Sequence, residues 1–287
     1  MAPGLDWPRP ALSPIVAGLS PDAQRRAISE ACQTIGAVPE GDAHTSVRQT
    51  SIGVKLCRTD GTANWLKISE KGGLREQWRR QGERLAQAVE GISQPRILRE
   101  LEWSLEGSEL HAFVYSLAPS PSGQTTPWIS SAMPAIGDDW LRELGSVFAR
   151  LAAEPLSRWL IHPGPIARII AERFGRKAPY DIAEWRMAHG DLNWSNVTAP
   201  TLSLLDWEFY GAAPRGYDAA MLLLFSARDP ELYRRMEAAF ADDLNTSSGI
   251  AARLYLIARS LDNIERGNGD PRRHAPLERE AKRLLRM

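Results

Sequence analysis

The spacing of apolar residues predicts two different structures in the two halves of this chain. In the first 117 residues, helical spacing alternates with short Val-, Thr- and aromatic-rich runs, which predicts a helix followed by strand, strand, helix, strand and strand. The first helix spans residues 20–36, with Ser20 as its N-cap and Pro21 as its first helical residue. Asp60 and Gly61 predict the turn of a β-hairpin between the first two strands.

Helical spacing dominates the remainder of the chain. A short-strand and loop region at 185–210 interrupts it. The helices predicted after the hairpin span residues 74–91, 138–153, 164–175, 216–227, 229–243, 248–267 and 276–286.

The two patterns predict an α+β protein with two lobes. A small β-sheet lobe with one key helix is expected over residues 1–117, and a larger, mainly helical lobe over residues 136–287. Residues 118–135 are dense in Pro, Ser and Thr, which is typical of a connecting segment.

Composition and charge exclude several classes of protein. The 287 residues contain 35 basic and 35 acidic side chains, so the chain lacks the excess of positive charge that nucleic-acid binding requires. No apolar run reaches the roughly 20 residues of a membrane span, and the first residues do not resemble a signal peptide. Two cysteines are too few for a disulfide framework, so we expect a cytoplasmic protein without nucleic-acid or membrane partners.

Two polar clusters lie within the short-strand region. The first reads HGDLNWSN and contains Asp191 and Asn196, and the second reads LLDWE and contains Asp206. Phosphoryl transfer needs this kind of arrangement, because a carboxylate must orient or deprotonate the attacking hydroxyl and oxygen ligands must hold Mg²⁺. The sequence therefore favours Asp191 as the base and Asn196 with Asp206 as the metal ligands.

The spacing of these residues resembles a known catalytic loop. Asp-x-x-x-x-Asn is the spacing found in protein kinases, although His-Gly-Asp stands for His-Arg-Asp and Asp-Trp-Glu for Asp-Phe-Gly. HGDLNWSN followed by LLDWE is similar to the aminoglycoside phosphotransferase and choline kinase group, small-molecule kinases with a protein-kinase-like two-lobed fold. The resemblance implies catalysis by Asp191, magnesium at Asn196 and Asp206, a brace from Asp218 and a structural role for His189.

The N-terminal lobe carries candidates for nucleotide binding. A kinase of this fold needs a strand lysine that contacts the ATP phosphates and a helix glutamate that holds the lysine. Lys67 lies on the second hairpin strand, in a chain with only five lysines. Glu83 in the following helix is the expected partner, with Glu76 as the alternative.

The segment expected to cover the phosphates departs from the usual pattern. It contains one glycine, Gly53, where kinases have several. We therefore expect backbone N–H groups and the hydroxyls of Ser46, Thr50 or Ser51 to contact the phosphates, and expect adenine to dock near residues 115–117.

Candidates for acceptor binding are aromatic or acidic. Trp194 lies inside the catalytic loop, and Glu208 follows the second cluster. Aromatic faces and carboxylates suit a sugar, a heterocycle or a cationic group. Residues 181–243 contain 11 acidic against five basic side chains, which favours magnesium and a cationic acceptor.

The sequence thus predicts a kinase that uses ATP and Mg²⁺ to phosphorylate a hydroxyl of a small molecule. The resemblance favours an aminoglycoside-like or other antibiotic, as in a resistance enzyme. Choline, ethanolamine, a sugar or a secondary metabolite are alternatives, and so is a non-catalytic nucleotide-binding scaffold. A monomer or a homodimer is expected.

Overall fold

The structure, a computed structural model, describes residues 19–46, 50–119, 136–175 and 182–286. These residues form two compact units. The first contains the described residues up to Gln87 together with Gln94–Ala118, and the second contains Ala88–Ser93 and the described residues after Ala118. Most of the predicted connecting segment, residues 118–135, lies outside the described residues.

The first unit is an antiparallel sheet with two helices. Its strands follow the order β1-β2-β3-β5-β4. In chain order the elements are α1 (Pro21–Ile35), β1 (Ala37–Thr45), β2 (Ser51–Arg58), β3 (Ala63–Glu70), α2 (Leu74–Ala86), β4 (Ile97–Leu105) and β5 (Ser108–Ser116).

Helix α1 begins and ends where its capping residues predict. The Ser20 hydroxyl accepts a hydrogen bond from the backbone N–H of Ala23, and Pro21 occupies the first turn. At the other end, Gly36 adopts a left-handed φ of 73°. The predicted helix over residues 20–36 is confirmed.

The two faces of the sheet have different environments. Along β3 the buried residues Leu66 and Ile68 alternate with the half-buried Trp65 and Lys67, because successive side chains of a strand point to opposite faces. The face with Leu66 and Ile68 belongs to one apolar cluster with the buried residues of α1. The opposite face therefore presents Lys67.

Strand β1 is absent from the sequence prediction. It contains Pro39 and Gly41, which are rare in strand interiors, and all of its residues after Ala37 are exposed. The strand lies at the edge of the sheet, next to β2, with which it pairs. An edge strand needs no buried apolar alternation, so the hydrophobic pattern carries no signal for it.

The second unit is mainly helical. The buried helix α8 packs against α4, α5 and α9, and the break at Phe240 divides the predicted helix 229–243 into two. The elements are α3 (Asp138–Ala153), α4 (Pro163–Phe174), β6 (Trp185–Ala188), β7 (Gly211–Pro214), α5 (Tyr217–Phe225), α6 (Pro230–Ala239), α7 (Ala241–Leu244), α8 (Ser247–Glu265) and α9 (His274–Leu284), with 3-10 turns at Trp207–Phe209 and Pro271–Arg273.

This arrangement confirms the predicted α+β class. A sheet unit with one helix before and one within it is followed by a mostly helical unit. Among the described residues, none of the helices combines the length and the apolar character that crossing a membrane would require.

Candidate active site

The first unit pairs Lys67 with Glu83. Lys67 lies on β3, between Gly53 of β2 and Phe113 of β5 in the register of the sheet. Its Nζ is 3.0 Å from Oε1 of Glu83, and the two side chains are 15% and 4% exposed. The alternative partner, Glu76, lies two turns earlier in α2. Because the ion pair is largely buried, removing one partner would leave an uncompensated charge.

Trp65 is a candidate that the sequence reasoning missed. It lies two residues before Lys67 and therefore on the same face of the sheet. Its indole covers Gly53, where a Cβ atom would lie 2.3 Å from the ring, and it stacks with the His44 ring at a centroid distance of 6.1 Å. The period of two along a strand would have identified it, once Lys67 was placed on β3.

Ser46 and Ser51 have structural contacts in this unit. The Ser46 hydroxyl accepts hydrogen bonds from the backbone N–H groups of Thr50, at 3.0 Å, and Ser51, at 3.2 Å. Ser51 is buried. Residues 47–49 lie outside the described residues. The Ser46 hydroxyl thus holds the residue after β1 beside the start of β2, and the N–H groups of Thr50 and Ser51 donate to it.

In the second unit, Gly190 is required by its surroundings. It follows β6 and has a φ of 87°, a left-handed value that glycine adopts without strain. A Cβ atom there would lie 2.4 Å from the carbonyl oxygen of Phe209 and 2.8 Å from Cδ2 of Leu160. The glycine between His189 and Asp191 therefore permits a close approach that no other residue could make.

Asp218 fixes the backbone that precedes Asp191. Its carboxylate, in the first turn of α5, accepts the backbone N–H of His189 at 2.7 Å and of Gly190 at 2.9 Å. Burial raises the pKa of the Asp218 carboxyl, and the hydrogen bonds from the two backbone N–H groups oppose that shift. The geometry is that of a brace, as the resemblance implies.

His189 is a buried, neutral link between two loops. Its Nε2 lies 2.8 Å from the carbonyl oxygen of Leu205 and donates to it, while Nδ1 accepts the backbone N–H of Asp191 at 3.3 Å. One donor and one acceptor are the pattern of an uncharged imidazole. Burial lowers the pKa of His189, which is consistent with this assignment.

Asn196 joins the HGDLNWSN loop to the second polar cluster. Its Nδ2 donates to the Asp191 carbonyl at 2.8 Å and lies 3.4 Å from Asp191 Oδ2. The backbone carbonyl oxygen of Asn196 accepts a hydrogen bond from the backbone N–H of Leu205 at 2.9 Å, which places Asn196 beside the residue that precedes Asp206.

The side-chain oxygen atoms of Asn196 and Asp206 are of the kind that binds a hard cation. Asp206 is exposed and adopts a left-handed φ of 66°, which only a few non-glycine residues do. Carboxylate and amide oxygens are the ligands that Mg²⁺ prefers in proteins. The residues therefore fit the metal that the sequence predicts at Asn196 and Asp206.

Trp194 is a packing residue. It is completely buried, its indole N–H donates to the Ser226 hydroxyl at 3.0 Å, and its ring stacks on Trp140 at 5.8 Å. The interpretation of Trp194 as an acceptor contact is thus corrected, because no part of its surface is available. Trp207 is equally buried, beside His189 at 4.6 Å, whereas Glu208 is only half-buried.

No protein-family model matches the sequence, and no curated protein matches it. Solved structures do. Macrolide 2'-phosphotransferase MphH from Brachybacterium faecium superposes with a TM-score of 0.57 at 16% identity, over 90% of this chain and 97% of that one. Amicoumacin kinase hAmiN, in complex with AMP-PNP and Ca²⁺, gives 0.55 at 13% identity, over 91% and 92%. Aminoglycoside-3'-phosphotransferase of type VIII gives 0.50 at 16% identity, over 79% and 97%.

These likenesses extend over most of each chain, and at such low identities they establish the fold. The resemblance seen in HGDLNWSN and LLDWE is confirmed at that level. This chain has the protein-kinase-like fold of the aminoglycoside and macrolide phosphotransferases and of amicoumacin kinase.

Proposed function

We propose that this protein is a cytoplasmic kinase that transfers the γ-phosphoryl group of ATP, with Mg²⁺, to a hydroxyl of a small molecule. The observation that carries the proposal is the contact set of Asp191. Asp218 holds the backbone before this residue, and Asn196 holds its carbonyl. A carboxylate fixed in this way can orient an acceptor hydroxyl, which is most of what phosphoryl transfer asks of a protein.

In the proposed reaction the acceptor oxygen attacks the γ-phosphorus. The bond between that phosphorus and the β–γ bridging oxygen breaks, ADP leaves, and the hydroxyl proton passes to Asp191. Asn196 and Asp206 would hold Mg²⁺, which would neutralise the charge that develops on the phosphate oxygens.

The first unit would bind the nucleotide. Lys67, held by Glu83, supplies a fixed positive charge for the α- and β-phosphates. Trp65 lies on the same face of the sheet and offers an aromatic surface on which a nucleobase can stack. Adenine binding near residues 115–117 agrees with this placement, because Tyr115 is the cross-strand neighbour of Trp65.

An antibiotic is the acceptor that we propose. The solved structures of the same fold include enzymes named for macrolides, aminoglycosides and amicoumacin. The acidic balance over residues 181–243 favours an acceptor that carries amino groups. Glu208, which is half-buried, is the candidate contact for such a cation.

The test is ADP release from ATP and Mg²⁺ with a panel of amino-bearing antibiotics, macrolides, choline and sugars. We expect turnover with at least one antibiotic, and a loss of about 10²- to 10⁴-fold in Asp191→Asn with nucleotide affinity nearly unchanged. Asp242→Asn, at an exposed position of the same unit, is the control. Nucleotide binding without turnover of any acceptor would support a scaffold and contradict the proposal.

A further inference from the structure

Helix α2, which carries Glu83, buries few large apolar side chains. A typical surface helix buries a stripe of such residues. The buried residues of α2 are Arg79, Arg80, Gly82, Glu83 and Ala86, and its Trp78 and Leu85 are only half-buried. Apolar burial therefore contributes less than usual to the attachment of this helix, and polar contacts contribute more.

Glu100 of β4 supplies a two-point polar contact to this helix. Both of its carboxylate oxygens accept from the guanidinium of Arg84, with 3.2 Å between Nε and Oε2 and a second contact between Nη2 and Oε1. Arg84 is the residue after Glu83 in α2. A two-point contact between a guanidinium and a carboxylate fixes orientation as well as distance.

The carboxylate of Glu100 is also hydrogen-bonded to a buried histidine of the neighbouring strand. Nε2 of His111, in β5, lies 2.6 Å from Oε1. The His111 ring is 1% exposed and packs edge-on against Phe113 at 4.5 Å. Burial lowers the pKa of His111, so the ring is neutral and donates to the carboxylate.

The same set of residues adjoins the lysine pair. Phe113 is the cross-strand neighbour of Lys67, and the Arg84 guanidinium carbon lies 5.8 Å from the centre of the Phe113 ring. Glu83 and Arg84 therefore contact adjacent positions on one sheet face, Glu83 through Lys67 and Arg84 through Glu100 and Phe113.

We infer that Glu100 is a positioning residue for the Lys67–Glu83 pair, acting through Arg84 to fix helix α2 on the sheet. The expected effect of Glu100 on turnover rests on the proposed function. The expected effect of Glu100 on the attachment of α2 to the sheet is independent of that function.

The kinetic test is a double-mutant cycle on ADP release. Glu100→Gln should lower turnover by about 5- to 100-fold, because small displacements of a binding group are costly. In the Glu83→Gln background the same change should cost less than about twofold, since the pair it positions is already broken. Equal losses in both backgrounds would overturn the inference.

The control for this cycle is Glu40→Gln. Glu40 lies on β1, at the opposite edge of the sheet from β4, and pairs with Lys55 at 2.8 Å. It is therefore an exposed, ion-paired carboxylate of the same unit that lies away from Arg84, Glu100 and His111. We expect its turnover to stay within about twofold of the native enzyme.

A second readout does not depend on activity. Backbone hydrogen exchange over residues 74–86 should accelerate in Glu100→Gln and stay unchanged in Glu40→Gln. Exchange in α1 serves as the internal reference, and melting curves confirm that each variant is folded. Unchanged exchange in α2 would overturn the inference even if turnover falls. If the native protein phosphorylates no acceptor, the proposed function fails, and the exchange of α2 still decides the role of Glu100.

Discussion

Asp218→Asn is the change that tests the catalytic loop most directly. The carboxylate accepts two backbone N–H groups, at 2.7 and 2.9 Å, and the residue is 5% exposed. An asparagine has the same shape but presents one oxygen and one NH₂ group. One of the two N–H groups would therefore lose its acceptor and face another donor.

The magnitude follows from this count. A hydrogen bond to a charged acceptor contributes about 1.5–3 kcal/mol, and a buried donor without an acceptor costs about 1–3 kcal/mol. We expect Asp218→Asn to lower the free energy of unfolding by about 3 kcal/mol, which corresponds to a fall of about 6–12 °C in Tm for a protein of this size. Turnover should fall at least tenfold, since His189 and Gly190 set the position of Asp191.

Thermal unfolding followed by circular dichroism would measure the first effect, and ADP release would measure the second. Asp242→Asn serves as the control, because its side chain is exposed. If Asp218→Asn melted within about 1 °C of the native protein and kept its turnover, the brace would contribute neither stability nor positioning, and the reasoning would be refuted.

Three further outcomes are expected. Gly190→Ala should destabilise the protein by more than about 2 kcal/mol, because the added Cβ would clash with the Phe209 carbonyl oxygen. Gly145→Ala, inside α3, should instead stabilise the protein by up to about 1 kcal/mol. Chemical denaturation of both variants measures these changes. Arg253→Met should lower the free energy of unfolding by about 3–5 kcal/mol, since the buried Arg253 guanidinium pairs with Glu237 and Glu280. Arg283→Ala, which removes the more exposed partner of the same carboxylates, should lower it by less than about 1 kcal/mol. Similar losses of stability in the two variants would contradict this prediction. Finally, burial lowers the pKa of His189 below the ordinary 6.5, so the unfolded state binds more protons and the free energy of unfolding should fall as pH drops below about 6.5. In His189→Gln this slope should be smaller, with a remainder from His111, whose pKa burial also lowers.

The polar residues of the candidate site could be proposed from the sequence, because phosphoryl transfer requires particular residue types at particular spacings. Asp191, Asn196 and Asp206 lie on one short segment, and the backbone hydrogen bond from Leu205 to Asn196 connects the two polar clusters. The contacts among Asp191, Asn196 and Leu205 are local in sequence, whereas the two hydrogen bonds from His189 and Gly190 to Asp218 span 29 and 28 residues.

The choice between Glu76 and Glu83 could not be made from spacing. The two residues are seven apart in α2 and therefore lie on the same helical face. Which of them meets Lys67 depends on where the short connection after β3 starts the helix. That geometry is set by the sheet and not by the periodicity of the helix.

The role of Trp194 was equally hidden. A tryptophan between polar loop residues suits a binding surface as well as a core. Its burial is decided by Trp140 and Ser226, which are 54 residues before it and 32 residues after it. No local pattern contains that information.

The buried side chain of Trp194 also sets how far the catalytic loop can adapt. Withdrawing an indole from the core exposes about 150–250 Å² of surface, at about 25 cal/mol per Å², which is about 4–6 kcal/mol. A loop conformation with that side chain exposed would be populated in fewer than about one molecule in a thousand. The loop that carries Asp191 is therefore pre-organised, and under the proposed function other segments of the protein would accommodate differences between acceptors.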